Sequence, residues 1–373
     1  MSQQKAQKAY DLLIIGSGLY GATIAHFAKK AGKKVLIIDK RPHIGGNIYT
    51  EKVKGIDVHK YGAHIFHTSN KKVWDFVNQF VTFNHFVNRP KVCFKNQLFS
   101  FPINLMTLYQ LWDVKTPQEA EEKLESVRIP IEKPQNLEEW VLSEVGEEIY
   151  ETFIKGYTTK QWGCSPKELP TFIIRRLPIR LTFDDNYFFD PYQGIPKEGY
   201  TALAEGIMEG IEVKVGVDFF KERRFWEEQA RHILYTGPID QFFDYKFGEL
   251  EYRTLRFDTK TLNQDNFQGN AVINYTEESV PYTRILEHKH FNFTDSAKTV
   301  VTWEYPDTWN KNKVPYYPVN NETNNALFKQ YKDASETYPS ISFGGRLAEY
   351  KYYDMHQVIA QAMSQADKII SAC

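Results

Sequence analysis

The 373-residue chain is 42% hydrophobic and 25% charged, with a formal net charge of -1. That length excludes a single small core, and the charge balance argues against a nucleic-acid binder, whose surface carries a basic surplus. The cysteines Cys93, Cys164 and Cys373 are far apart and form no C-x-x-C pair, which speaks against a disulfide framework or zinc site and for a reducing compartment.

Residues 1–9 are polar and lack the apolar core of a signal peptide, and no run approaches the roughly 18 apolar residues of a membrane span. A cytoplasmic globular protein is expected. Asp11 to Ile15 reads as a buried strand that ends in Gly16-Ser17-Gly18-Leu19-Tyr20-Gly21. A helix over Ala22 to Ala31 follows, Gly32 stops it, and Val35 to Ile38 makes a second strand. Asp39 stands just past that strand, 18 positions after Gly21. In this order each part has a task. Gly16 permits the tight turn, Gly18 lets backbone approach a pyrophosphate, and Gly21 allows close helix–strand packing. The helix N-terminus faces phosphate charge with free N–H groups. Asp39 suits ribose hydroxyls and repels a 2′-phosphate. Next, Arg41-Pro42-His43-Ile44-Gly45-Gly46-Asn47 places a second glycine pair beyond the acidic residue. This R-x-x-x-G-G-N run resembles the loop that approaches the FAD pyrophosphate in flavoproteins of the glutathione-reductase-like superfamily. No second G-x-G-x-x-G occurs, so the cofactor is read as FAD, and any reductant visits without a fold of its own.

Val73 to Val81, Gln118 to Leu124, Leu137 to Val145 and Glu147 to Ile154 have helical character, the last two separated by Gly146. Further on, Glu212 to Val215, His232 to Tyr235, Ala271 to Asn274 and Thr299 to Thr302 read as strands. Ser340 to Arg346 looks like a strand returning to the nucleotide fold, and Met355 to Ser371 like a helix whose N-terminus points at the flavin ring. The expected class is α/β: a discontinuous FAD-binding Rossmann-like domain with an inserted helical domain and an antiparallel β-sheet domain. The expected divisions are 10–69 for the first FAD part, 70–155 for the helical domain, 156–205 with 240–318 for the substrate sheet, and 206–239 with 319–373 for the remaining FAD parts.

Further motifs follow in order: Tyr61-Gly62-Ala63-His64-Ile65-Phe66-His67, Lys155 to Gly163 (KGYTTKQWG), Val280-Pro281-Tyr282-Thr283-Arg284, Pro315-Tyr316-Tyr317-Pro318, and Gly345 to Met355 (GRLAEYKYYDM). Together, from about residue 10 to 370, they resemble the bacterial UDP-galactopyranose mutase family. The resemblance implies an isomerase that interconverts UDP-galactopyranose and UDP-galactofuranose. It uses reduced FAD without net redox, through a covalent adduct between flavin N5 and the anomeric carbon. It also implies a homodimer, NAD(P)H or another reductant as a transient partner, and galactofuranose for cell-surface glycans.

The leaving UDP carries about two negative charges, so cations and hydroxyl donors are needed more than acid–base machinery. By resemblance, Arg176 and Arg284 are the diphosphate clamps and, with His67, the catalytic set. Tyr187, Tyr317 and Tyr352 donate to the phosphates, and Asn274 lies near the substrate. Phe153 and Tyr157 flank the uracil, Thr158 and Trp162 line the cleft, and Asn88 lies near the sugar. Leu169 to Pro178 looks like a mobile lid carrying Arg176. On the cofactor side the resemblance adds Tyr20, Lys40, Asn47, His64, Ile65, Asp218, Phe219, Arg346, Tyr353, Asp354 and Met355 to the glycines Gly16, Gly18, Gly21 and Gly46 and to Asp39.

Plainer readings stand beside these. His64 and His67 lack a third ligand for a metal, and no metal is expected. Trp162 alone would be core, Arg284 alone an ion pair with Glu287, and Arg175 and Arg180 solvated or structural charges. Tyr316 and Tyr353 alternate away from their neighbours in extended backbone, so packing is their default. The main rival is an FAD-dependent amine-oxidase-like oxidoreductase, because the first 50 residues suit both.

Overall fold

The computed structural model describes residues 8–171 and 179–373. Arg175, Arg176 and most of the stretch read as a lid therefore lie outside the described residues.

Five short strands build a parallel sheet in the order Ile341–Phe343, Ala230–Tyr235, Tyr10–Ile15, Val35–Asp39, Glu212–Val215. The central strands are continuous in Leu and Ile because helices cover both faces. On one face lies the helix Leu19–Lys30, packed against Met355–Ser371. The second helix buries Ile359, Ala362, Ala366 and Ile369, spaced three or four apart along one stripe. Each fully buried Leu or Ile side chain contributes about 1.5–3 kcal/mol. Asp354 caps that helix in a capping box with Gln357, which sets its first turn at Met355.

A seven-stranded sheet runs in the order Tyr317–Pro318, Tyr252–Leu262, Thr299–Thr308, Arg284–Glu287, Val272–Tyr275, Lys91–Phe94, Gln97–Ser100. All its pairings are antiparallel except Val272–Tyr275 with Lys91–Phe94. Two departures from the sequence reading meet here. The hairpin Lys91–Ser100 falls inside the range read as helical, and the sheet is mixed instead of antiparallel. The hairpin is strand because it adds to an edge supplied from far along the chain, a contact that local periodicity does not report.

The helices Leu105–Trp112, Pro117–Val127 and Leu137–Ile149 pack over that hairpin around Leu108, Leu124, Val141 and Phe99. Gly146 interrupts the third helix at φ 77°, where a Cβ would lie 2.4 Å from the Val127 carbonyl oxygen. The chain then continues through one wide turn, Tyr150–Lys155, into the helix Gly156–Trp162. The first nucleotide-fold helix begins three residues earlier than its apolar spacing suggests, at Leu19, because Gly18 itself is the N-cap.

Candidate active site

Between the two sheets lies one cavity of about 1530 Å³. Ordinary ligand pockets hold roughly 300–1,000 Å³, so this one has room for a dinucleotide and a second nucleotide-sized molecule. Every site residue named from the sequence that falls among the described residues lines it; Arg176 lies outside them.

The wall on the parallel-sheet side is a phosphate cradle. Gly16 has φ 111°, and a Cβ there would lie 2.1 Å from Thr236 Oγ1. A Cβ on Gly21 would lie 2.2 Å from the Gly16 carbonyl oxygen, so the helix can approach the strand only without a side chain. At Gly18 a Cβ would meet nothing within 4 Å. The helix that starts there has no side-chain cap and no acidic residue in its first turn. The residues of this first turn, Gly18 to Gly21, line the cavity and have no side-chain cap for their N–H groups, which suits a pyrophosphate. Gly46 closes from the other side, with a Cβ position 3.1 Å from Gly18 Cα.

Asp39 is buried and oriented by the loop: its Oδ2 accepts from Ser17 N–H (2.8 Å) and Ser17 Oγ–H (2.6 Å), its Oδ1 from Arg41 N–H (2.9 Å). Arg41 also donates to Asn47 Oδ1 at 2.8 Å and covers the Tyr61 ring at 4.3 Å. Lys40 stands exposed at the rim. Tyr20 is buried and donates to Gln365 Oε1 at 2.6 Å. Asp218 caps a short turn by accepting from Phe220 N–H, which seats the buried Phe219 against the same end of the cavity.

At the far end of the cradle are His64, Ile65, Arg346, Tyr353, Asp354 and Met355. The Arg346 guanidinium lies 5.9 Å over the Tyr317 ring. His67 Nδ1 lies 2.5 Å from Asp190 Oδ2, and its ring stacks on Phe188 at 3.6 Å. Among the described residues the cluster with metal-like spacing does not pair His64 with His67. It groups His67, Asp354 and His356, whose donor atoms lie within 4.8 Å of one another.

The opposite wall carries the cations and phenols. Arg284 Nε lies 2.9 Å from Glu304 Oε1, and Nη2 donates to the Tyr157 hydroxyl at 3.1 Å. Burial is the largest single influence on Arg284 and opposes its charge, but the Glu304 carboxylate and the phenols of Tyr157, Tyr317 and Tyr352 together hold the guanidinium above its usual range. Burial also raises Tyr157 to about 12, so its hydroxyl stays a donor at neutral pH. Tyr317 stacks on Tyr352 with ring centroids 5.3 Å apart, and burial raises its phenol too. Tyr187, Asn88, Asn274, Thr158 and Trp162 complete this wall. Phe153 reaches the cavity but is 3% exposed, its ring held edge-on to Phe99. Tyr316 is buried against Phe257, as packing requires, while it and Tyr353 both touch the cavity.

Several partners were not visible in sequence. The partner of Arg284 is Glu304, its cross-strand neighbour, and not Glu287, which instead accepts from Phe267 N–H and Gln268 N–H. Lys160 is more than a motif letter: its ammonium donates to the carbonyls of Tyr275, Val280 and Tyr282 at 2.8–3.0 Å and ties the substrate helix to the turn before Arg284. Burial lowers it to about 8. Arg180 is buried and structural, donating to the Asp184 and Asn186 carbonyls beside Tyr187. Lysine inside an aromatic motif and arginine before an Asp-Asp-Asn run were the only available signals.

Comparison with known proteins agrees with this geometry. The sequence model of the family described as UDP-galactopyranose mutase matches residues 152–352, and that of an NAD(P)-binding Rossmann-like domain matches residues 14–80. The chain is 43% identical to the dTDP-fucopyranose mutase of Escherichia coli, over 96% of this chain and 98% of that one. It is 44% identical to a probable UDP-galactopyranose mutase of Klebsiella pneumoniae, over 97% and 95%. Its fold matches the crystal structure of reduced UDP-galactopyranose mutase with a TM-score of 0.76, at 14% identity over 98% and 94% of the two chains.

Proposed function

The chain belongs to the UDP-galactopyranose mutase family, and from that premise we propose that it interconverts UDP-galactopyranose and UDP-galactofuranose in this cavity. It is an FAD-dependent isomerase. When bound and reduced, the flavin supplies a nucleophilic nitrogen for the anomeric carbon. The observation that carries the reading is the pairing, across one cavity, of an uncapped dinucleotide cradle with an arginine–tyrosine wall.

In this reading Arg284 holds the diphosphate, its planar fork matching two phosphate oxygens. Arg176 is its counterpart from the stretch outside the described residues. The protonated phenols of Tyr157 and Tyr317, with Tyr187 and Tyr352, share the negative charge that grows as UDP leaves. Phe153 and Tyr157 hold the base, while Asn88, Thr158, Trp162 and Asn274 shape the cleft. Asp39 and Ser17 orient the adenosine ribose, and His64, Arg346 and Asp354 surround the flavin ring. Among the described residues no helix is long and apolar enough to cross a membrane, and the three cysteines are free thiols. These observations support a cytoplasmic enzyme. We further propose a homodimer, reduced by NAD(P)H or a similar donor, that supplies galactofuranose to cell-surface glycans.

The test is to incubate dithionite-reduced holoenzyme with UDP-galactofuranose and to follow UDP-galactopyranose. Conversion without stoichiometric use of reductant is expected; an oxidase would consume oxygen or NAD(P) instead. The near-equal identity to a dTDP-fucopyranose mutase makes dTDP-fucopyranose the second substrate to assay. Inactivity toward both sugar nucleotides would overturn the reading.

A further inference from the structure

A line of hydrogen bonds runs from the seven-stranded sheet to the flavin end of the cavity, and it passes through three histidines. Thr259 Oγ1 and Thr302 Oγ1, on paired strands, are 2.8 Å apart. Thr302 Oγ1 is 2.8 Å from His288 Nε2. His288 Nδ1 accepts the backbone N–H of His59 at 3.3 Å, and His59 Nδ1 accepts the backbone N–H of His64 at 3.1 Å. Finally, His64 Nδ1 lies 2.8 Å from the Gly62 carbonyl oxygen.

The chemistry of the partners settles each tautomer. A backbone N–H only donates, so Nδ1 of both His59 and His288 carries a lone pair and the proton sits on Nε2. A carbonyl only accepts, so His64 carries its proton on Nδ1, which leaves the lone pair on Nε2. His64 lines the cavity. We propose that His59 and His288 are positioning residues that hold the Gly62–His64 turn so that His64 offers its Nε2 lone pair to the flavin. The inference rests on the proposed placing of the flavin beside His64.

Two observations argue that His59 is there for its nitrogen. Its ring stacks on Phe291 with centroids 4.6 Å apart, a contact that a phenylalanine would also make. Its Nε2–H, however, is buried without a partner, an expense that a phenylalanine would avoid. The acceptor at Nδ1 is what a hydrocarbon ring lacks. A proton added to His59 or His288 would set N–H against N–H and break the line. Burial opposes this: it pushes His59 well below the usual histidine range, His288 to about 3 and His64 to about 4. The Arg346 guanidinium adds to the effect at His64. The turn also sits against the substrate wall, because a Cβ on Gly62 would lie 3.3 Å from Glu304 Oε2.

The experiment compares His59→Phe, which keeps the ring and removes the acceptor, with His59→Asn, which keeps an acceptor near the Nδ1 position. In the FAD-loaded protein, His59→Phe is expected to lower kcat about tenfold with little change in KM and to shift the flavin reduction potential. His59→Asn should recover most of both. Thr302→Val, which removes the acceptor of His288, should move both readouts in the same direction by less. Selective ¹⁵N-histidine spectra of the unmodified holoprotein at pH 7 should show Nε2–H for His59 and His288 and Nδ1–H for His64. Wild-type kcat and potential in His59→Phe, or the opposite tautomer at His59, would overturn the proposal. Should His59→Phe fail to fold, the ¹⁵N spectra and Thr302→Val still decide it. A wild-type holoenzyme without mutase activity but with these tautomers would sink the proposed function and leave the histidine line standing.

Discussion

Arg284, half-buried, and Glu304, buried, face each other across adjacent antiparallel strands as an ion pair, with 2.9 Å between Nε and Oε1. Glu304 is 2% exposed, so its charge survives only beside the guanidinium. The pair therefore fixes where Arg284 points and prevents it from collapsing onto solvent.

Breaking this pair from either side should separate binding from stability. Arg284→Ala is expected to lower kcat/KM at least about a hundredfold while FAD stays bound, since the arginine acts on the substrate. The variant also strands a buried carboxylate, which costs about 3–5 kcal/mol. Glu304→Gln keeps the shape and should be milder in both respects. Steady-state kinetics, flavin absorbance and thermal unfolding of the two variants check this. Loss of FAD with unchanged kinetics in the residual holoenzyme would contradict the assignment.

The cradle makes a sharper claim. Gly21→Ala would place a methyl group 2.2 Å from the Gly16 carbonyl oxygen, a backbone atom that cannot swing aside. The purified variant is expected to carry at least about tenfold less FAD, read from the ratio of flavin to protein absorbance. Full occupancy would mean that the helix does not abut the strand as described.

Lys160→Met keeps the length of the side chain and removes the donor to three carbonyls. Each buried acceptor left unpaired costs about 1–3 kcal/mol before relaxation. A lower Tm and a raised KM for the sugar nucleotide are expected, with normal FAD content, because the lysine secures the turn that leads to Arg284. An unchanged KM would assign Lys160 to stability alone.

The buried histidines predict acid sensitivity. His288 and His64 sit at about 3 and about 4 in the folded protein, against 6.5 for a free histidine. Between those values the unfolded chain binds protons that the folded chain refuses, so stability is whole above pH 6.5 and falls as pH drops towards 4. At about 1.4 kcal/mol per unit of difference, the loss for such a pair amounts to several kcal/mol. Urea unfolding of the holoprotein at pH 7, 6 and 5 tests it. A flat midpoint would show that these rings are solvated.

Local features were legible in the sequence because their causes are local. The turn over Gly16 to Gly21, the helix that follows, and the helix that starts at Met355 depend on neighbours within a few positions: glycines that admit backbone, a capping box, an apolar stripe. The motifs carrying Tyr157, Arg284, Tyr317 and Arg346 were visible as motifs, and the fold brings them to one cavity. What the string of residues does not hold is register. Whether Arg284 meets Glu287 or Glu304, whether Lys91–Phe94 is strand or helix, and whether His59 finds His288 are decided when strands far apart in the chain align. One residue of slippage turns every side chain to the other face of the sheet. Residue types and nearby spacing thus determined which chemistry this protein carries; only the aligned sheets decided which atoms share a partner, because those pairings are set by burial of whole faces and not by any single stretch.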